Sequence, residues 1–249
     1  MTKPNGVILW KGISQIDGKT PIVCIATGLN NSSANAKTGE MVQTWILNDN
    51  VEPHVAVKTG EDASVCGGCV HRVNKDTGVR TCYVNLGQAP LSIFRAYKRG
   101  AYPDASAVSS EVFANKAIRF GAYGDPAAVP IGIWSDLEGL ASMHTGYTHQ
   151  WRSEKFAAFS RVCQASCETD ADVLKANKMG WGTFQVISAT ATRNVNAMPC
   201  PASTEMGKTK TCAECGVCNG RKGINVTILA HGATAKRYTG GKTLQVIGQ

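Results

Sequence analysis

Seven of the ten cysteines fall into two groups whose spacing suits soft-metal chemistry. Cys66 and Cys69 form a C-x-x-C pair across two glycines, which let the backbone curl until both sulfurs face one ion. Cys82 follows after "VHRVNKDTGVRT", where Asp76-Thr77-Gly78 supplies a turn that returns the chain to the pair. His71, Cys24, another loop or a small molecule would complete the set. The alternative is a redox pair or plain buried thiols. Near the C-terminus, Cys212, Cys215 and Cys218 follow C-x-x-C-x-x-C spacing, with Cys200-Pro201 as a natural fourth ligand. Iron–sulfur clusters use such a run with a remote cysteine followed by proline. Zinc ribbons separate two C-x-x-C knuckles more widely. The spacing therefore leans toward an iron–sulfur cluster, with zinc as the other candidate. Lys208, Lys210 and Arg221 are available to offset thiolate charge. Cys163 and Cys167, four apart, would share a helix face as spare ligands or as core. Cys24 in "PIVCIATG" reads as a core-strand residue.

The elements that must position these groups alternate between strand and helix. Strands are expected over 116–124, 144–151, 181–190 and 224–232. Helices are expected from Ile131 to about 143, over 153–164 with Ser153 as N-cap, and over 170–180 closed by Gly180. "APLSIFRAYKRG" is a further helix candidate. Such alternation predicts an α/β fold with a parallel sheet of βα units, a partial or full (β/α) barrel carrying cysteine-rich metal-binding loops. The whole chain, 1–249, reads as one domain. It has a strand-rich N-terminal part over about 1–60 and a cysteine-rich loop over about 198–222. Turn signals at Asp17-Gly18 and Thr38-Gly39 make the first part a hairpin or an extension of the same sheet.

Ligands of parallel α/β sheets gather at the carboxyl ends of strands. Those ends carry Tyr123 and Asp125, then Thr148, His149 and Arg152, then Ser188, Thr190 and Arg193, and finally His231. Asp125, His149 and His231 are the candidate acid/base groups. Arg152, Ser188 and Arg193 are candidate contacts to a cofactor or an anionic substrate.

Hydrophobic residues at 43% and charged residues at 18% describe a globular chain, not a disordered one. No apolar run approaches a membrane span, and the N-terminus lacks a signal-peptide core, so a soluble cytoplasmic protein without membrane contact is expected. Reducing cytosol favours metal over disulfide for clustered cysteines. A net charge of +8 suits a nucleic acid or nucleotide partner. "GGKT" lacks the rest of a phosphate loop, and neither G-x-S-x-G nor H-E-x-x-H occurs.

The stretches "TGLNNSSANAKTGEMVQTWIL", "ASVCGGCVHR", "TCYVNLGQAP" and "CPAS…CAECGVC" together resemble a group of cysteine-rich proteins of unknown function encoded by tailed phages and prophages. The resemblance covers nearly the whole chain and implies the cytoplasm of a host cell. A remoter resemblance is to radical S-adenosylmethionine barrels. These place a three-cysteine cluster near the start of a (β/α) barrel, often beside an aromatic residue, here Tyr83 after Cys82. Some add an auxiliary cluster near the C-terminus, matched by Cys200, Cys212, Cys215 and Cys218. "IRFGAYGDP" is similar to the strand-then-Gly-Asp segment of phage-encoded relatives. The usual triplet there is C-x-x-x-C-x-x-C, from which Cys66, Cys69 and Cys82 depart. The resemblance implies an iron–sulfur cofactor and S-adenosylmethionine, with Tyr83 beside them. The competing expectation is a zinc-stabilised nucleic-acid-binding protein without enzymatic activity.

Overall fold

The computed structural model describes residues 4–31, 35–188, 190–191 and 196–240. Three antiparallel strands open the chain: β1 (Gly6–Ile13), β2 (Pro21–Thr27) and β3 (Met41–Asn48). The β1–β2 turn forms because Gly18 takes a positive φ of 68° while Asp17 Oδ1 accepts from the Lys19 and Thr20 amides. These strands are both a meander and part of the main sheet, which unites the two options left by the sequence.

A long connection holds α1 (Pro53–Thr59), α2 (Ala63–Cys66) and α3 (Ala89–Lys98) before β4 (Ala117–Tyr123). Then follow α4 (Ile131–Leu140), β5 (Met143–Thr148), β6 (Gln164–Cys167), α5 (Asp170–Lys178) and β7 (Thr183–Ile187). The last elements are β8 (Met198–Pro199), α6 (Cys212–Cys215) and β9 (Asn225–Leu229). Among the described residues the nine strands form one open, mixed sheet in the order β1-β2-β3-β4-β5-β6-β7-β9-β8. Every pairing from β3 to β8 is parallel.

Strand alternation gives the sheet two dressed faces. Ile118, Phe120, Ala165 and Cys167 point into the larger core, where Trp134 is fully buried and donates Nε1–H to Pro126 O at 2.9 Å. Tyr147, Phe184, Val186, Val226 and Ile228 meet Cys200, Cys212 and Cys218 in a second apolar cluster. The segment running from Cys200 to Arg221 therefore packs on sheet residues that the larger core does not use.

Two expectations need correction. Residues 153–164 do not make an α-helix: Glu154–Arg161 is 3₁₀, and Ser153 makes no side-chain cap bond. The buried residues Phe156, Phe159 and Val162 recur every third position, which is the 3₁₀ period. The chain then enters β6, so Cys163 and Cys167 lie along an extended run rather than on one helix face. Both are fully or nearly fully buried in the larger core, as is Cys24. Among the described residues no helix is long and apolar enough to cross a membrane.

Candidate functional site

The β3–β4 connection brings the first three thiols to the carboxyl ends of β4, β5 and β6. Helix α2 ends at Cys66, and Gly67 continues with φ 54° and ψ −128°, which turns the chain sharply toward Cys69. Arg72 braces this turn: it bonds Asp62 at 2.6 and 3.0 Å, Gly67 O at 3.1 Å and Gly60 O at 3.0 Å. The loop at Asn74–Gly78 closes through Gly78 N–H to Asn74 O at 2.8 Å. The Cys82 amide then returns to His71 O at 3.0 Å, as the Asp76-Thr77-Gly78 turn predicts.

Gln150 joins this loop to the sheet. Its Nε2 donates to Asp125 Oδ2 at 3.1 Å and to Cys66 O at 3.4 Å, while Oε1 accepts from Gly68 N–H at 3.4 Å. Asp125 is 6% exposed, and its carboxylate also accepts from the Ala127 and His149 amides at 3.0 and 2.8 Å. Asp125 thus ties the end of β4 to the end of β5 beneath the thiols.

Burial, then the neighbouring Cys69, raises the Cys66 thiol well above its usual range. Burial raises Cys82 as well, with Arg80 opposing. Such thiols stay neutral unless a nearby cation compensates the thiolate. Burial disfavours the charged form of His149, yet Cys69 and Glu168 outweigh it and hold this imidazole protonated well above the ordinary range. His71 behaves oppositely: burial and the nearby His149 push it down to about 4.

The second group is fixed by α6 and its flanks. Thr211 and Glu214 form a capping box, with Glu214 N–H on Thr211 Oγ1 at 3.3 Å and Thr211 N–H on Glu214 Oε2 at 2.7 Å. The Cys212 amide reaches Lys37 O at 2.9 Å, and the Cys200 amide reaches Thr227 O at 2.8 Å. Cys218 O accepts from Gly146 N–H at 2.9 Å, and Cys218 shares an apolar cluster with Tyr147. Burial lifts Cys200 to about 11, with Cys212 and Cys215 adding to the rise and Lys37 countering it. Burial also raises Cys212, which Arg119 and Lys37 counter. A cavity of about 360 Å³ reaches Cys215 between Glu138, His144, Asn219 and Arg221.

Among the described residues, no three cysteine sulfurs lie within 4.8 Å of one another. A tetrahedral zinc–thiolate site sets its sulfurs about 3.8 Å apart, from Zn–S bonds of about 2.3 Å. The thiols of each group influence one another, yet they are spread more widely than one ion demands.

The structure brings together Cys66, Cys69, Cys82, Asp125 and His149. Tyr83, next to Cys82 in the chain, stacks on His231 at a centroid distance of 5.1 Å. Arg119 bonds the Tyr83 hydroxyl and bears electrostatically on Cys212. Arg152 is committed to Asp172 at 2.7 Å and lies over the Trp151 ring. Ser188 follows β7 with its hydroxyl 3.4 Å from that of Thr190. Arg193 lies outside the described residues. Glu168 was not expected at the site. It follows β6, a strand not among those expected from the sequence, which begins where the expected helix ends, and its position at a strand end is the signal that would have found it.

Comparison with family models, with curated proteins and with solved structures returns no match to this chain.

Proposed function

We propose that the chain is an iron–sulfur protein built on an open (β/α) barrel, and a radical-S-adenosylmethionine-like enzyme acting on a nucleotide or nucleic acid. One observation carries the reading. Three thiols from the connection after the first parallel strand converge at the carboxyl ends of the next strands, beside His149 and over Asp125. Cys66, Cys69 and Cys82 would hold the first cluster. A cluster held by three thiolates would supply an iron with an open position for a small molecule such as S-adenosylmethionine. Gln150, Arg72 and Asp125 fix the loop that presents the thiols. His149 bears electrostatically on Cys69, an influence that would tune a thiolate ligand. Cys200, Cys212, Cys215 and Cys218 would hold a second cluster with four protein ligands, stabilising the segment that covers the sheet. The net charge of +8 supports a polyanionic substrate.

The test is protein purified without oxygen, assayed for iron, acid-labile sulfide and visible absorption. Brown protein containing both iron and sulfide is expected. Cys66→Ser/Cys69→Ser/Cys82→Ser should lose part of both and all perturbation of the spectrum by S-adenosylmethionine. Colourless protein with stoichiometric zinc would overturn the reading. Salt-dependent binding of DNA or RNA by that protein would then establish the zinc-stabilised nucleic-acid-binding alternative.

A further inference from the structure

Beside the first thiol group lies a second constellation with different chemistry. One ligand-type atom each from His71, His149 and Glu168 lies within 4.8 Å of the others. Three elements deliver them: the loop after α2, the end of β5 and the end of β6. The Glu168 side chain is only 2% exposed, and its Oε2 has no hydrogen-bond partner. Besides His149, the nearest cation is Arg152, which stops 3.6 Å away while holding Asp172 at 2.7 Å. His149 Nε2 is likewise buried without an aligned hydrogen bond, although Glu168 Oε1 is 3.1 Å from it. Leaving such atoms unpaired is costly, so their convergence calls for a ligand.

The geometry suits a small cation. Ligand atoms about 2.1 Å from a divalent transition ion are separated by about 3.0–3.4 Å along the edges of octahedral or tetrahedral sites. The 3.1 Å between His149 Nε2 and Glu168 Oε1 falls in that interval. His71 Nδ1 is 2.9 Å from Thr81 Oγ1, the kind of contact that fixes the ring and tautomer of a metal-binding imidazole and leaves Nε2 as the nitrogen to ligate. The Tyr238 ring packs against His71 at a centroid distance of 5.1 Å and closes that side.

We propose that His71, His149 and Glu168 form a mononuclear site for a divalent transition metal, with open positions for water or an anionic substrate group. Two imidazoles and one carboxylate are a ligand set used by both zinc and non-haem iron sites. None of its three ligands is a sulfur, although His149 also lies beside Cys69, and a metal here would displace the proton that His149 otherwise shares with Glu168.

The experiment uses full-length chelator-treated protein and Co²⁺ as the probe, comparing wild type with Glu168→Gln by equilibrium dialysis and absorption. One equivalent fewer Co²⁺ is expected in Glu168→Gln, or at least a tenfold weaker affinity for that equivalent. The wild-type-minus-variant spectrum should contain ligand-field bands and no thiolate-to-cobalt charge-transfer band. Thr81→Val should retain the site but weaken it about 10–100-fold. If Glu168→Gln does not fold, His71→Gln on the half-buried side gives the same reading. Unchanged Co²⁺ stoichiometry and affinity in a folded variant would overturn the proposal, as would a thiolate band in the difference spectrum. Iron and sulfide in Glu168→Gln, purified without oxygen, judge the cluster reading separately.

Discussion

Gly67→Ala tests whether the first thiol loop is held as described. Gly67 has φ 54° and ψ −128°, a conformation that an L-residue adopts only under strain. An added Cβ would also lie 2.6–2.7 Å from the Gln150 side-chain amide. The backbone component should cost about 1–3 kcal/mol. Forcing Gln150 aside adds about 1–3 kcal/mol of overpacking. The substitution should therefore destabilise by about 2–6 kcal/mol, a fall in Tm of roughly 5–20 °C for a chain of this size. Gln150→Ala removes the steric partner but leaves the backbone strain. In that background Gly67→Ala should cost only about 1–3 kcal/mol, so the two changes couple by about 1–3 kcal/mol. Chemical denaturation of the four proteins of the cycle measures this. A Gly67→Ala cost within about 0.5 kcal/mol would refute the strain argument. Equal costs in both backgrounds would refute the Gln150 contact.

Cys212→Ser or Cys215→Ser should lower metal content and thermal stability together, because binding at a folded thiolate site is folding free energy; Cys24→Ala should cost stability but leave the metal analysis unchanged. Burial opposes ionisation of Asp172, but Arg152 and Thr169 outweigh it and hold the carboxyl below its usual value. Its stabilising contribution is therefore complete above pH about 4 and is lost as pH falls through the lowered folded value. The stability gap between wild type and Asp172→Asn should be constant at neutral pH and close in acid; denaturation curves with a gap that widens in acid would contradict this. Trp134→Ala should cost about 3–5 kcal/mol in denaturant unfolding, since it empties a fully buried site. Trp134→Phe should cost less, as it keeps the ring beside Phe120 and loses the bond to Pro126 O.

Much of this scaffold is legible in local patterns. The apolar runs that become β4, β7 and β9 and the Gly180 stop after α5 report on contacts near in sequence. The turn at Asp76-Thr77-Gly78 likewise foretells the return of Cys82 to the C-x-x-C pair. β6 is not legible in the same way. Its four residues, "QASC", are small or polar, and they follow "FAAFSRV", whose three-residue apolar spacing is easily taken for an α-helix. Missing β6 also hid Glu168. Asp125 and His149 were placed at strand ends by sequence. That Asp125 accepts backbone and amide hydrogens from the β5 end, and that Arg152 is consumed by Asp172, depends on contacts about 20 or more residues apart. The pairing of Tyr83 with His231 depends on still more distant contacts.

The segment from Cys200 to Arg221 covers its sheet face by reaching back to Lys37 and Thr38, ahead of β3. Ribosomal synthesis cannot supply it until the parallel strands through β7 already exist. Cys218 emerges 136 residues after Cys82, a delay of roughly 7–27 s at about 5–20 residues per second. During that interval the nascent chain carries the first thiol trio complete, while Tyr147 and Phe184 still await their cover. Synthesis therefore has a built-in chronology: the Cys66–Cys82 loop is complete first, and the Cys200–Cys218 segment closes the unfinished face last.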